Sequence, residues 1–126
     1  MDSRMAEKWM EGMRERWNSR RPGGVGGLRG KALVVIEGNS RRREFMIEME
    51  GWRMREMREP REGERAEVCV FAPLRSLRRI RREEDLVWMV INREVRVRGR
   101  FRMLARNLPL WTALLSFLAS GLGRKG

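Results

Sequence analysis

From Asn107 to Gly123 the chain carries no charged residue, although Asp, Glu, Lys and Arg make up 37% of the whole. Pro109 and Gly121 bound a helical segment within that run, where Leu110, Trp111, Ala113, Leu114, Leu115, Phe117 and Leu118 are apolar. Its polar members, Thr112, Ser116 and Ser120, are small and fall at four-residue steps. A helix of about 12 residues reaches only about 18 Å, short of a hydrocarbon core of about 30 Å, so it does not span a membrane. Being apolar on most sides, it needs cover on most sides. A chain of 126 residues is one domain with a single core. The expected cover is therefore a ligand, a membrane or a second subunit.

Upstream the hydrophobic period is that of strands. "KALVVIEG", "REFMIEME", "GWRMREMRE" and "RAEVCVFAP" are β-branched or alternating runs, separated by Gly38-Asn39-Ser40 and then by Pro60 and Gly63. They predict four strands in an antiparallel meander, one face buried and one bearing charge pairs. From Pro73 the period becomes helical, with Leu74, Leu77 and Ile80 on one face. "EEDLVWMVIN" follows, its three acids suited to a helix N-terminus and its body apolar nearly all round, so it is expected to be buried or to line a cavity. Val95 and Val97 alternate with Glu94, Arg96 and Arg98 as a short strand that Gly99 ends. Phe101, Leu104 and Leu108 then return to helical spacing, with Phe101 assigned to the core.

At the N-terminus Met5, Trp9, Met13 and Trp17 form one stripe of a helix that either docks on the domain or lies at an interface. "SRRPGGVGGLRGK" is a linker or loop; Val25 and Ala32 stand where a Walker loop needs glycine and a hydroxyl, and the stretch does not sit between helices as a KH loop must.

No histidine is present, and Cys69 is alone in an apolar run. Zinc sites, histidine-based triads and internal disulfides are therefore excluded, and no cofactor or metal is expected. Glu67, Asp85 and Glu94 are carboxylates that no spacing gathers around one pocket, so no catalytic residue is assigned. The first residues carry acids and bases throughout, with no apolar run of the signal-peptide type, which points to a cytoplasmic protein.

The net charge of +12 comes from 29 basic residues against 17 acidic ones, and all the basic residues but Lys8, Lys31 and Lys125 are arginine. Residues 41–65 nearly balance, whereas residues 74–106 hold a large arginine surplus. That surplus invites an anionic partner, lipid headgroup or nucleic acid. A nucleic-acid interface through residues 75–106 is the alternative reading; it lacks the interleaved exposed aromatics of a single-strand platform.

Ala66-Glu67-Val68 at the end of one strand, a helix, an apolar helix, and then Val95, Val97, Gly99, Leu104, Ala105 and Leu108 resemble the sterol carrier protein type-two domain, over about Lys31 to Leu118. The sequence departs from that family at Asn92-Arg93, where glycine is usual and Asn92 is expected to hold the left-handed cap, and at Ala72-Pro73, where the family has an N-cap. The terminal "GRKG" is no peroxisomal address.

The resemblance implies an α+β fold: a five-stranded, mainly antiparallel sheet covered by helices, with an apolar tunnel between sheet and C-terminal helices. The organisation expected is an amphipathic helix over 1–20, a Gly-rich linker over 21–31, the sterol-carrier-like domain over 32–120 and a basic tail over 121–126. Function would be non-catalytic lipid carriage, the ligand a sterol, fatty acyl or isoprenoid chain. Candidate tunnel residues are Met46, Val68, Val70, Leu77, Leu86, Met89, Val90, Phe101, Leu104, Leu108, Trp111, Leu114, Leu115 and Leu118. Arg96, Arg98 and Arg100 would meet a headgroup or membrane. A peripheral membrane contact and a homodimer are the other partners in keeping with this reading.

Overall fold

The computed structural model describes residues 3–20, 27–38 and 40–122; most of the linker, Asn39 and the last four residues lie outside them. Helix α1 (Ser3–Arg20) precedes strands β1 (Leu28–Glu37), β2 (Arg42–Gly51), β3 (Arg53–Arg58) and β4 (Val68–Pro73). Then come α2 (Leu74–Leu77), α3 (Glu83–Ile91), β5 (Arg96–Gly99), α4 (Phe101–Ala105) and α5 (Leu108–Gly121). Strand β1 thus begins inside the stretch read as linker.

The strands form one five-stranded sheet in the order β3-β2-β1-β4-β5. The pairs β1–β2, β2–β3 and β4–β5 are antiparallel, and β1–β4 is parallel. The fold is therefore α+β and mainly antiparallel, but the four-strand meander does not occur. After β3 the chain does not turn back: residues 59–67 carry it across β2 and β1, so that β4 pairs with β1 from the other side. That sideways step of three strands is about 14 Å, well within the reach of such a connector.

Strand alternation decides which face is core. Ala32, Val34 and Ile36 pair with Ile47, Phe45 and Arg43 on one side and Val68, Val70 and Ala72 on the other. Apart from Arg43 these residues are buried, and they belong to the same apolar cluster as α5. The opposite face carries Leu33, Val35, Met46, Cys69 and Phe71 by the same register.

The crossover is tied to that outer face by Glu64. Its carboxylate accepts from Arg58 at 2.7 and 2.5 Å, from Lys31 at 3.1 Å and from the Arg61 backbone N–H at 2.9 Å. These partners, the Arg58 guanidinium first, hold the Glu64 carboxyl well below the usual carboxylate range. Such a group stabilises the fold fully above its unfolded value, about 4.3, and loses that contribution as pH falls from there through the depressed folded value. Glu64→Gln is therefore expected to lower Tm at neutral pH. The gap to the parent protein should close as the buffer is taken below about pH 4; thermal melts across acid pH check it, and a gap independent of pH would contradict the assignment.

Of the two readings for α1, docking holds. Met10, Met13 and Trp17 are buried while Met5 is exposed. The Trp17 indole donates to the Trp52 carbonyl at 2.8 Å, stacks on the Trp52 ring at 6.5 Å and meets Phe117 of α5 edge-on at 5.4 Å. One residue on, the Asn18 amide donates to the Met54 carbonyl at 2.9 Å and accepts from the Met54 N–H at 2.8 Å. A side chain thus pairs with the free edge of β3 as a neighbouring strand would.

Helix α5 also finds its cover within the chain. Leu110, Trp111, Leu114, Leu115, Phe117, Leu118 and Ala119 are all buried. The expectation that such a helix needs a ligand, a membrane or a second subunit as cover left out α1, which packs on the sheet beside it: Trp9 meets Phe45 at 5.8 Å, and Gly121 is so close to Met13 that a methyl group there would overlap its thioether. No helix among the described residues is long and apolar enough to cross a membrane.

Candidate functional site

Most of the apolar residues singled out in the sequence come together. Val68, Val70, Leu77, Leu86, Met89, Leu104, Trp111, Leu114, Leu115 and Leu118 belong to one buried cluster between sheet and helices, with Val90 and Leu108 packed against it. Met46 stands apart: it pairs with Leu33 on the outer face, because the buried triplet Phe45-Met46-Ile47 obscures the alternation that separates them. Phe101 is not core either, being 49% exposed at the first turn of α4.

Around the free edge of β5 runs an open cleft of about 430 Å3, lined by Phe71, Val90, Arg93, Val95, Arg96, Val97, Arg98 and Phe101. Val90 and Val97 line this cleft and also pack on the buried cluster, so cleft and core share a wall. On its outer side the Arg96 and Arg98 guanidinium carbons lie 5.7 and 5.9 Å from the Phe71 ring centroid. Their register opposite Phe71 and Cys69 places both arginines over β4. Among the described residues neither forms an ion pair, nor do Arg93, Arg100 or Arg102.

The turn into β5 carries a backbone anomaly. Arg93 has φ 61°, whereas Asn92, the expected left-handed residue, sits at φ −83°. The chain thus holds an arginine in a conformation that glycine adopts without steric cost, at the rim of the cleft.

The nearby carboxylates are otherwise engaged. Asp85 accepts from the Arg81 and Arg82 backbone N–H groups at 2.9 Å each, which caps α3 and depresses its pKa. Glu94 pairs with Arg79 and accepts from the Ser76 hydroxyl at 3.3 Å. Burial raises the Cys69 thiol pKa, which leaves it a poor nucleophile. No His, Cys, Asp and Glu cluster suited to a metal ion exists among the described residues.

Helix α3 departs from its expected burial. Leu86 and Met89 are buried, but Val87, Trp88 and Ile91 are 37%, 62% and 61% exposed. Sequence reasoning missed this ridge. Its one signal was Glu84, a turn before Trp88 on the same side, since a charged residue marks the solvent face. Phe71 was missed as well; only the β4–β5 register brings the arginines to it.

A second groove, of about 640 Å3, lies between α2 and α5, lined by Leu77, Arg78, Ile80, Arg81, Ser116, Ala119 and Ser120. One turn before Ser116, the Thr112 hydroxyl is enclosed and has no hydrogen-bond partner among the described residues.

Sheet order, the parallel β1–β4 pair and the closing α5 define the fold of the sterol carrier protein 2 domain, and in fold the chain is an SCP2-like domain. It is similar to sterol carrier protein 2 itself, with TM-score 0.65 and 12% identity over 90% of this chain and 95% of that one. It is similar also to a UbiJ-SCP2 ubiquinone synthesis protein, with TM-score 0.51 and 15% identity over 94% of this chain and 87% of the other. A conserved hypothetical protein from Thermus thermophilus matches with TM-score 0.55 and 10% identity, over 96% of this chain and 87% of that one. No protein-family model and no curated protein matches the sequence.

Proposed function

We propose that the protein is a non-catalytic lipid-binding carrier acting in the cytoplasm, its ligand a sterol, fatty acyl or isoprenoid chain with at most a small anionic end. The observation that carries this reading is the wall that cleft and core share. Val90 and Val97 pack on the apolar cluster beneath α5 and also line an open cleft whose arginines, among the described residues, form no ion pair. The names of the structural neighbours, sterol carrier and ubiquinone synthesis proteins, agree with an apolar ligand. The ligand tail would enter by displacing packed side chains of the buried cluster beneath α5, in which Met10, Met13, Met49, Met54, Met57 and Met89 are flexible enough to repack around varied shapes. Arg96 and Arg98 would meet its head.

The test is titration of the delipidated full chain with a fluorescent acyl probe, in solution and without vesicles. Saturable binding that changes little between low and moderate salt is expected, because apolar burial rather than charge dominates. No binding, or binding that collapses with salt, would remove the basis of the carrier reading.

A further inference from the structure

We infer that the face built by α3, the free edge of β5 and the start of α4 docks on the surface of an anionic bilayer. Of the five large hydrophobic side chains exposed among the described residues, four are here: Val87, Trp88, Ile91 and Phe101. On α3, Val87 and Ile91 are four apart with Trp88 beside them, and Val90, three from Val87, continues the ridge into the cleft that Phe101 also lines. Arg93, Arg96 and Arg98 line that cleft with Val90, and Arg100 and Arg102 flank Phe101 at the start of α4; none of the five is in an ion pair among the described residues.

Charge and shape choose the occupant. A second copy of the same face would set arginines against arginines. A nucleic-acid strand would use Trp88 and Phe101 for stacking but gives Val87 and Ile91 nothing to do. A bilayer interface takes aliphatic side chains into the acyl boundary, a tryptophan at headgroup depth and arginines on lipid phosphates. The acids of α3 are consistent with a tilted approach. Glu84 shares the arc of Trp88 but lies a turn earlier, 4.0 Å from Arg82, and Glu83 precedes it, so the C-terminal half of the helix is the end that enters. The inference rests on the carrier reading for its purpose, since this orientation sets the proposed mouth against the lipid.

The experiment is vesicle association of the full chain, with phosphatidylcholine alone and with phosphatidylserine added. Association with the serine-containing vesicles, weakened by salt and accompanied by tryptophan quenching from brominated lipid, is expected. Trp88→Ser with Ile91→Ser should reduce it by about tenfold or more, the loss when two such side chains are no longer buried, and Arg96→Glu with Arg98→Glu should reduce it too. Neither change should alter the circular dichroism spectrum, and the serine pair should bind the acyl probe normally without vesicles. That separates a failed docking face from a failed carrier. Vesicle association unchanged in the serine pair would overturn the inference, as would equal association with uncharged vesicles. A dimer or a complex with single-stranded RNA, abolished by the same substitutions in place of vesicle association, would assign the face to that partner instead.

Discussion

Trp111→Ala combined with Leu115→Ala is expected to bring the protein to the edge of unfolding at ordinary temperature. Both side chains are fully enclosed, they lie one turn apart on α5, and the Trp111 indole N–H also donates to the Met103 carbonyl at 3.2 Å. Truncating a buried tryptophan costs about 3 to 5 kcal/mol and a buried leucine about 2 to 5. Because the two sites are neighbours the costs will not simply add. Even the smaller sum is comparable to the roughly 5 to 15 kcal/mol that holds a domain together. Each single variant should show a clearly lowered Tm and the pair a broad or absent transition, read by thermal melts. If the space under α5 takes an acyl chain, a saturating long-chain ligand should restore part of the lost Tm in the single variants, since it binds only the folded state. No ligand-dependent shift in parent or variants would leave α5 a plain packed helix.

Gly99→Ala is the second large effect. The glycine closes β5 at φ 89°, and a Cβ there would drive into the Glu67 carbonyl oxygen, which already accepts from the Arg100 N–H at 2.8 Å. The left-handed conformation costs an L-residue roughly 1 to 2 kcal/mol, and overlap with backbone that cannot swing away adds about 1 to 3. The expected loss is about 2 to 5 kcal/mol, measured by urea denaturation. Gly63 supplies the internal comparison: it too has positive φ, at 74°, but open space where a Cβ would go. Gly63→Ala should therefore lose only the conformational part, about 1 to 2 kcal/mol. Equal losses at the two positions would show that the contact with Glu67 is relieved elsewhere.

Much of this architecture is legible in local pattern because local pattern reports burial. The alternation around Val95 and Val97, the acids opening α3 and the uncharged run of α5 each correspond to an element in place. What local pattern does not report is the neighbour. The run "EVCVFAP" is visibly a strand, yet whether it pairs with β3 or crosses to β1 depends on the path of residues 59–67, which Pro60 and Gly63 leave open. In β3, Met54 and Met57 are both buried because the register slips opposite Glu48 and Met49, and a strict two-residue period cannot anticipate the slip. The apolar residues of the candidate site were readable, but not the exposure of Trp88, Ile91 and Phe101. Glu84 marks the solvent side of α3 at Trp88, but an apolar side chain left in water otherwise looks in sequence like one in the core, and the packed structure tells them apart.

The Asn18 amide bears on more than the docking of one helix. A sheet edge is a growth site, and a strand added there exposes another just like it, which is how chains polymerise into fibrils. Asn18 occupies the donor and acceptor of Met54 with a group that offers no further edge. In the vocabulary of polymer chemistry it is a chain terminator, set at one end of the sheet and leaving β5, four residues long, as the end still able to propagate.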